Sequence, residues 1–173
     1  MRGRTTLPRR VRRDMEPKLT IELVPKGQWG TNLRSELTSG EWNRLRRNAY
    51  KAADYRCEIC GGVGRKHPVE CHERWRYDEG TKTQHLDGLI ALCPSCHEVK
   101  HIGRTQAIGR MEQAISHLMK VNGWAADRAL EYIDEAFQVW HRRSQQDWSL
   151  DLSWLLHGGV PEAKPPTDGL GDL

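Results

Sequence analysis

The chain has 173 residues, 37% hydrophobic and 29% charged, which is enough for one domain with its own core and too little for two comfortable ones. Its net charge of +4 hides an asymmetry: Arg2, Arg4, Arg9, Arg10, Arg12 and Arg13 all precede the first acid, and removing six from 27 basic residues leaves 21 against 23 acidic ones. Bulk charge therefore excludes a uniformly basic nucleic-acid binder and leaves any such affinity to the arm and to local patches. Five cysteines, four of them in two clusters, argue for metal rather than disulfides and hence for a reducing, cytoplasmic setting. The longest apolar run near those clusters, residues 88–92, is far short of a membrane span, so no membrane partner is expected.

Residues 1–17 are basic and aperiodic and read as a disordered arm, ahead of a single domain over 18–156 and a disordered, proline-containing tail over 157–173. Leu19-Thr-Ile-Glu-Leu23 alternates apolar and polar with period two, which predicts a short half-buried strand. The same alternation in residues 148–154 makes that segment its candidate partner. A helix is predicted from Ser39 or Gly40 to about Ala53, with Trp42, Leu45, Ala49 and Ala53 on one face. On it, Arg44, Arg46, Arg47 and Lys51 form a basic patch that Arg65 and Lys66 continue, with Lys100 and Arg104 further on; these eight are the candidate DNA-binding residues, against the plainer reading of a solvated face.

Cys57-Glu-Ile-Cys60 and Cys93-Pro-Ser-Cys96 stand 32 residues apart, a spacing that supplies four thiolates to one tetrahedral, structural zinc ion. Cys71 is the odd thiol, read as a core residue more than as a ligand. Between the pairs, residues 68–73 and 88–92 predict two strands joined by a long polar loop containing Trp75, Tyr77 and Asp78. Pro94 then opens a helix ending at Gly103. It carries His97 and His101, four apart and so on one face, where they could share a second metal; the bland alternative is a solvated pair, or one of them replacing a cysteine on the zinc. Two further helices are predicted at about 105–121 and 125–144, with core stripes at Ile108, Met111, Ile115, Leu118 and Met119 and at Leu130, Ile133, Phe137 and Trp140. The fold class is α+β: a zinc core over 57–103, flanked by an N-terminal strand and helix and by two C-terminal helices within 105–146.

The words Cys57-Glu-Ile-Cys60, Val69-Glu-Cys-His-Glu73 and Cys93-Pro-Ser-Cys96-His97-Glu-Val-Lys-His101 resemble the zinc-stapled branch of the HNH endonuclease family, over about 57–103. The resemblance implies a treble-clef-like ββα-metal unit that binds a divalent ion (Mg2+, Mn2+ or Zn2+) beside the scissile phosphate of double-stranded DNA. It implies His97 and His101 as metal ligands, with water activated by a residue of the first strand. If His72-Glu73 is the matching pair, His72 binds metal and Glu73 is the base; if Cys71-His72 is, His72 is the base. The first register is preferred because Val69-Glu70-Cys71 then forms the apolar-x-apolar approach. The chain departs from the family at its middle asparagine, which falls near Gly88; Asp87, Gln84 and Asp78 are the candidate substitutes. The expected function is metal-dependent hydrolysis of DNA, as monomer or homodimer. The competing readings are an inactive zinc-dependent DNA-binding module and a zinc-organised protein-interaction adaptor.

Overall fold

A computed structural model describes residues 16–157; the predicted arm and tail lie almost wholly outside the described residues. The described part is mixed α+β. In chain order come α1 (Leu33–Glu36), α2 (Ser39–Ala52), the hairpin strands β1 (Glu70–Asp78) and β2 (Thr83–Leu92), then α3 (Pro94–Lys100), α4 (Ile102–Ala107), α5 (Met111–Asn122), α6 (Ala126–Arg143) and β3 (Ser149–Asp151). The sheet has the order β1-β2-β3, antiparallel within the hairpin and parallel between β2 and β3. Among the described residues no helix is long and apolar enough to cross a membrane.

α2 begins at Ser39 as predicted, but Thr38, not a serine or glycine, is its N-cap. Thr38 accepts from the Glu41 amide at 3.3 Å while the Glu41 carboxylate accepts from the Thr38 amide at 2.9 Å, a reciprocal capping box. Pro94 starts α3, where its missing N–H costs nothing.

The hairpin is longer than its apolar ends imply. Trp75, Tyr77 and Asp78, expected in a loop, belong to β1, and only four residues connect the strands. A register shift between Arg74 and Trp75 re-aims the strand there, so that His72, Trp75 and Tyr77 all border clefts shared with the N-terminal segment. Gly88 sits opposite Arg74 at this irregularity with φ +143°, a backbone region that only glycine adopts without strain.

Residues 19–23, predicted as a half-buried strand, form no strand. The Leu19 amide donates to Asn122 Oδ1, the Asn122 side chain donates back to the Leu19 carbonyl, and the Glu22 amide donates to the Lys100 carbonyl. Their backbone bonds are thus met by α3 and α5, and residues 149–151 pair with β2 instead. The two ends of the domain still meet, through Lys26 N–H to Ser144 Oγ at 3.1 Å and Trp140 Nε1–H to the Val24 carbonyl at 3.0 Å.

Gly103 does not end the predicted helix but lies inside α4, and the first long C-terminal helix starts at Met111 rather than near 105. The core gathers Leu19, Leu92, Val99, Ile102, Ala114, Leu118, Ala129 and Ile133 around Cys57, Cys93 and Cys96. Ile108, in the turn after α4, and Leu130, on the outer side of α6, are about half exposed at 51% and 50% and leave the predicted stripes; Ala114 and Ala129 take the inward positions.

Candidate metal centres

The first pair of cysteines sits in a tight turn in which the Gly61 amide donates to the Cys57 carbonyl at 2.8 Å and the Gly62 amide to Cys60 Sγ at 3.4 Å. Glu58 ties this turn to the sheet: its amide donates to the Ala91 carbonyl at 3.0 Å and its carboxylate accepts from the Ala91 amide at 2.8 Å. The second pair enters from the end of β2 and the first turn of α3. Cys57, Cys60, Cys93 and Cys96 thereby converge as one group able to hold a metal ion, three buried and Cys60 at the surface. Ligands at about 2.3 Å from a tetrahedral ion stand about 3.8 Å from one another. The Cys60 and Cys93 sulfurs are 3.6 Å apart, so an ion fits with little rearrangement.

Without a cation Cys93 and Cys96 resist ionisation beside the other sulfurs. A hydrogen bond from Cys96 carries Cys57 down to about 4. That same bond, with burial and the neighbouring sulfurs, pushes Cys96 well above the ordinary thiol value. Burial raises Cys93 to about 11. A dication removes this conflict by compensating every thiolate at once. His117 Nε2, on α5, lies 3.1 Å from Cys96 Sγ, close enough to donate to that sulfur; the sequence carried no local signal for it. Cys71 belongs to neither metal group, and burial followed by the charge of Glu73 lifts its thiol to about 12.

The second group is His72, His97 and His101, whose candidate ligand atoms all lie within 4.8 Å of one another. His97 is helical, whereas His101 occupies the joint between α3 and α4 with φ −95° and ψ 44° rather than continuing the helix. His101 Nε2 stands 3.2 Å from His72 Nδ1 and 3.1 Å from His97 Nε2. Three nitrogens bound at about 2.0–2.1 Å to a tetrahedral ion would be about 3.3 Å apart. The His72 imidazole enters this group, and the Cys71 thiol does not.

Two carboxylates fix the tautomers. His72 Nε2 donates to Glu22 Oε2 at 3.0 Å, and His97 Nδ1 donates to Glu70 Oε2, whose other oxygen bonds His67 Nε2 at 2.6 Å. With those nitrogens protonated, His72 Nδ1 and His97 Nε2 point lone pairs at the same place as His101 Nε2. Burial, followed by the charge of His72, lowers the pKa of His97 and takes His101 down to about 3, which keeps both imidazoles in the neutral form that ligates. Converging buried lone pairs repel unless a cation lies between them, and a carboxylate on the far nitrogen raises ligand basicity.

Glu22 was not legible in the sequence because it lies 50 residues from His72 in chain order. Burial raises its pKa, but the His72 bond and the Lys100 charge outweigh this and leave it below the ordinary carboxylate value. Lys100, expected to meet DNA, is instead buried at 5% exposure with its ammonium 2.6 Å from both Glu22 Oε1 and Thr20 Oγ1. The reason is electrostatic: a buried ammonium is tolerated when paired, and here it helps hold the segment that carries Glu22. Of the other predicted phosphate contacts, Arg44, Arg47, Lys51, Arg65, Lys66 and Arg104 are exposed and Arg46 is half-buried, its Nε bonded to Asn43 Oδ1 at 2.8 Å.

Replacing Glu22 by glutamine keeps the shape but removes the charge that orients His72. Metal affinity of the histidine group is expected to fall about 10- to 100-fold, read by competition with a chromophoric chelator, with the cysteine-bound ion retained. Unchanged affinity would remove Glu22 from that role.

None of the three candidates for the missing asparagine bonds to the histidine group. Asp87 pairs with Arg76 at 3.2 Å, Asp78 accepts the Gly80 and Thr81 amides in the hairpin turn, and Gln84 is buried without a hydrogen bond to any imidazole. Glu73 is half-buried and, with His72 and His101, lines a cleft of about 210 Å³ bounded on its other side by Trp29, Thr31 and Asn32. The chain matches no protein-family model, no curated protein and no solved structure.

Proposed function

We propose that the protein is a metal-dependent endonuclease of the HNH type, in which β1, β2 and α3 form the ββα-metal unit and the four cysteines hold a structural zinc. The observation that carries this reading is the convergence of three imidazoles, two of them backed by carboxylates, beside a cleft that also holds the Glu73 carboxylate. Such a donor set suits a borderline ion such as Zn2+ better than Mg2+, which prefers hard oxygen ligands. When bound, that ion would stabilise negative charge on the phosphate and the leaving oxygen.

In this reading His72, His97 and His101 hold the ion while Glu22 and Glu70 hold the imidazoles. Glu73 takes the proton of the water that attacks phosphorus, and the departing alkoxide is protonated by solvent. The exposed cations on α2, together with Arg65, Lys66 and Arg104, bind the phosphates that flank the cut. A reducing cytoplasm suits the zinc thiolates.

The alternative, a zinc-dependent DNA-binding module without catalysis, is favoured by one observation. Gly88, near which the family's asparagine would fall, has a backbone that accepts only glycine without strain. Supercoiled plasmid separates the two readings. Wild-type protein is expected to nick it with zinc or manganese, and Glu73→Ala, which removes the base, is expected to lower the rate about 100- to 10,000-fold with both metal groups intact. Salt-sensitive binding without cutting under any metal would select the module.

A further inference from the structure

Beside the histidine group lies a second, larger cavity of about 830 Å³, bordered by Trp29, Phe137 and Trp140, by Arg104 and Asp134, and by His101. It shares Glu22, Val24, Trp29 and His101 with the cleft that contains Glu73, so a ligand filling one is in contact with the edge of the other. Its walls are aromatic and rigidly built. Trp29 and Trp140 both donate their indole N–H to the same Val24 carbonyl, at 2.9 and 3.0 Å, which sets the rings nearly parallel, 17° apart with centroids 6.1 Å distant. Phe137 closes edge-on against Trp140 at 6.2 Å.

Trp29 is nonetheless 64% exposed. A large aromatic held in one orientation while open to solvent gives up burial and rotamer freedom together, and is placed to receive a flat apolar ligand. Exposed Arg104 lines the cavity together with Asp134, and Lys26, outside the lining, stands over the Trp140 ring at 5.2 Å, so two cations are at hand for an anion attached to that ligand.

We propose that this cavity binds an unpaired nucleobase of the nucleic acid whose phosphate lies at the histidine group, stacking it on Trp29. The inference rests on the nuclease reading and adds the substrate's state. A base inside a duplex has both faces covered by its neighbours, so a wall that offers stacking selects a base that is single-stranded or has left the helix. At about 830 Å³ the space exceeds one base and admits its sugar.

The test uses full-length Glu73→Ala protein, which keeps both metal groups and is expected to cut about 100- to 10,000-fold more slowly, with fluorescein-labelled oligonucleotides: a single strand, its perfect duplex, and a duplex with one bulged base. Single-strand binding isolates an unpaired base in a flexible chain, and the bulge isolates a base expelled from a helix. Adding Trp29→Ala is expected to weaken binding of the bulged duplex, the single strand, or both about 10-fold while leaving the perfect duplex nearly unchanged, and Trp29→Phe is expected to restore most of the loss. Trp29 is exposed, so a zinc content and melting temperature equal to the parent's are expected of both variants. Equal affinity of Trp29→Ala and parent for every oligonucleotide would overturn the inference. If wild-type protein still nicks plasmid, the nuclease reading survives that result; if the parent binds none of the oligonucleotides, both readings fall.

Discussion

Cys60→Ala is expected to abolish the cooperative thermal transition of the domain, although Cys60 is the exposed member of its group and its loss leaves no cavity in the core. The cause is loss of the proposed zinc. Structural zinc contributes about 10–16 kcal/mol of apparent folding free energy, as much as the whole net stability of an ordinary domain, about 5–15 kcal/mol. Cys57, Cys93 and Cys96 lie inside the same cluster as Leu19, Leu92, Val99 and Ile102, so releasing the ion leaves buried thiols in conflict at the centre of the fold. A strong chelator should reproduce the effect in wild-type protein, and added zinc should reverse it. A Cys60→Ala protein that melts like wild type would show that the four cysteines are no staple.

His97→Ala should behave in the opposite manner. His97 is only partly buried, facing the other two histidines, and the helix is anchored by Val99, Cys96 and the Lys100 ion pair. The variant is expected to melt within a few degrees of wild type and to lose plasmid nicking to background, because two imidazoles no longer enclose the ion. Circular dichroism alongside the nicking assay checks both halves. Full cutting by folded His97→Ala protein would dismiss the histidine group as the working site.

What could be read before the fold was known divides along the reach of each signal. The cysteine pairs and the His97/His101 spacing are local patterns, fixed by turn and helix geometry, and each found its group. The period-two alternation of residues 19–23 predicted a strand that does not form, although Leu19, Ile21 and Leu23 do pack on the core. It could not announce that helices rather than a strand would meet its backbone, since a half-buried extended chain looks the same against either. The hairpin was underestimated for a related reason: a register shift breaks the alternation at Trp75, so the most informative part of β1 resembled a loop. Lys100 looked like a phosphate contact because pairing with a carboxylate 78 residues away leaves no trace in sequence. Glu22, Glu70 and His117 are the same case, for partners that orient ligands are chosen by three-dimensional proximity alone.

The chain is expected to hold two ions in two chemically distinct groups. Equilibrium dialysis against zinc, followed by elemental analysis, tests it most directly. Two zinc ions per wild-type chain and one per His97→Ala chain, with both proteins folded, is the predicted result. One ion per chain in both proteins would contradict it, leaving the cysteines as the sole metal site and the histidine group without an ion to work with.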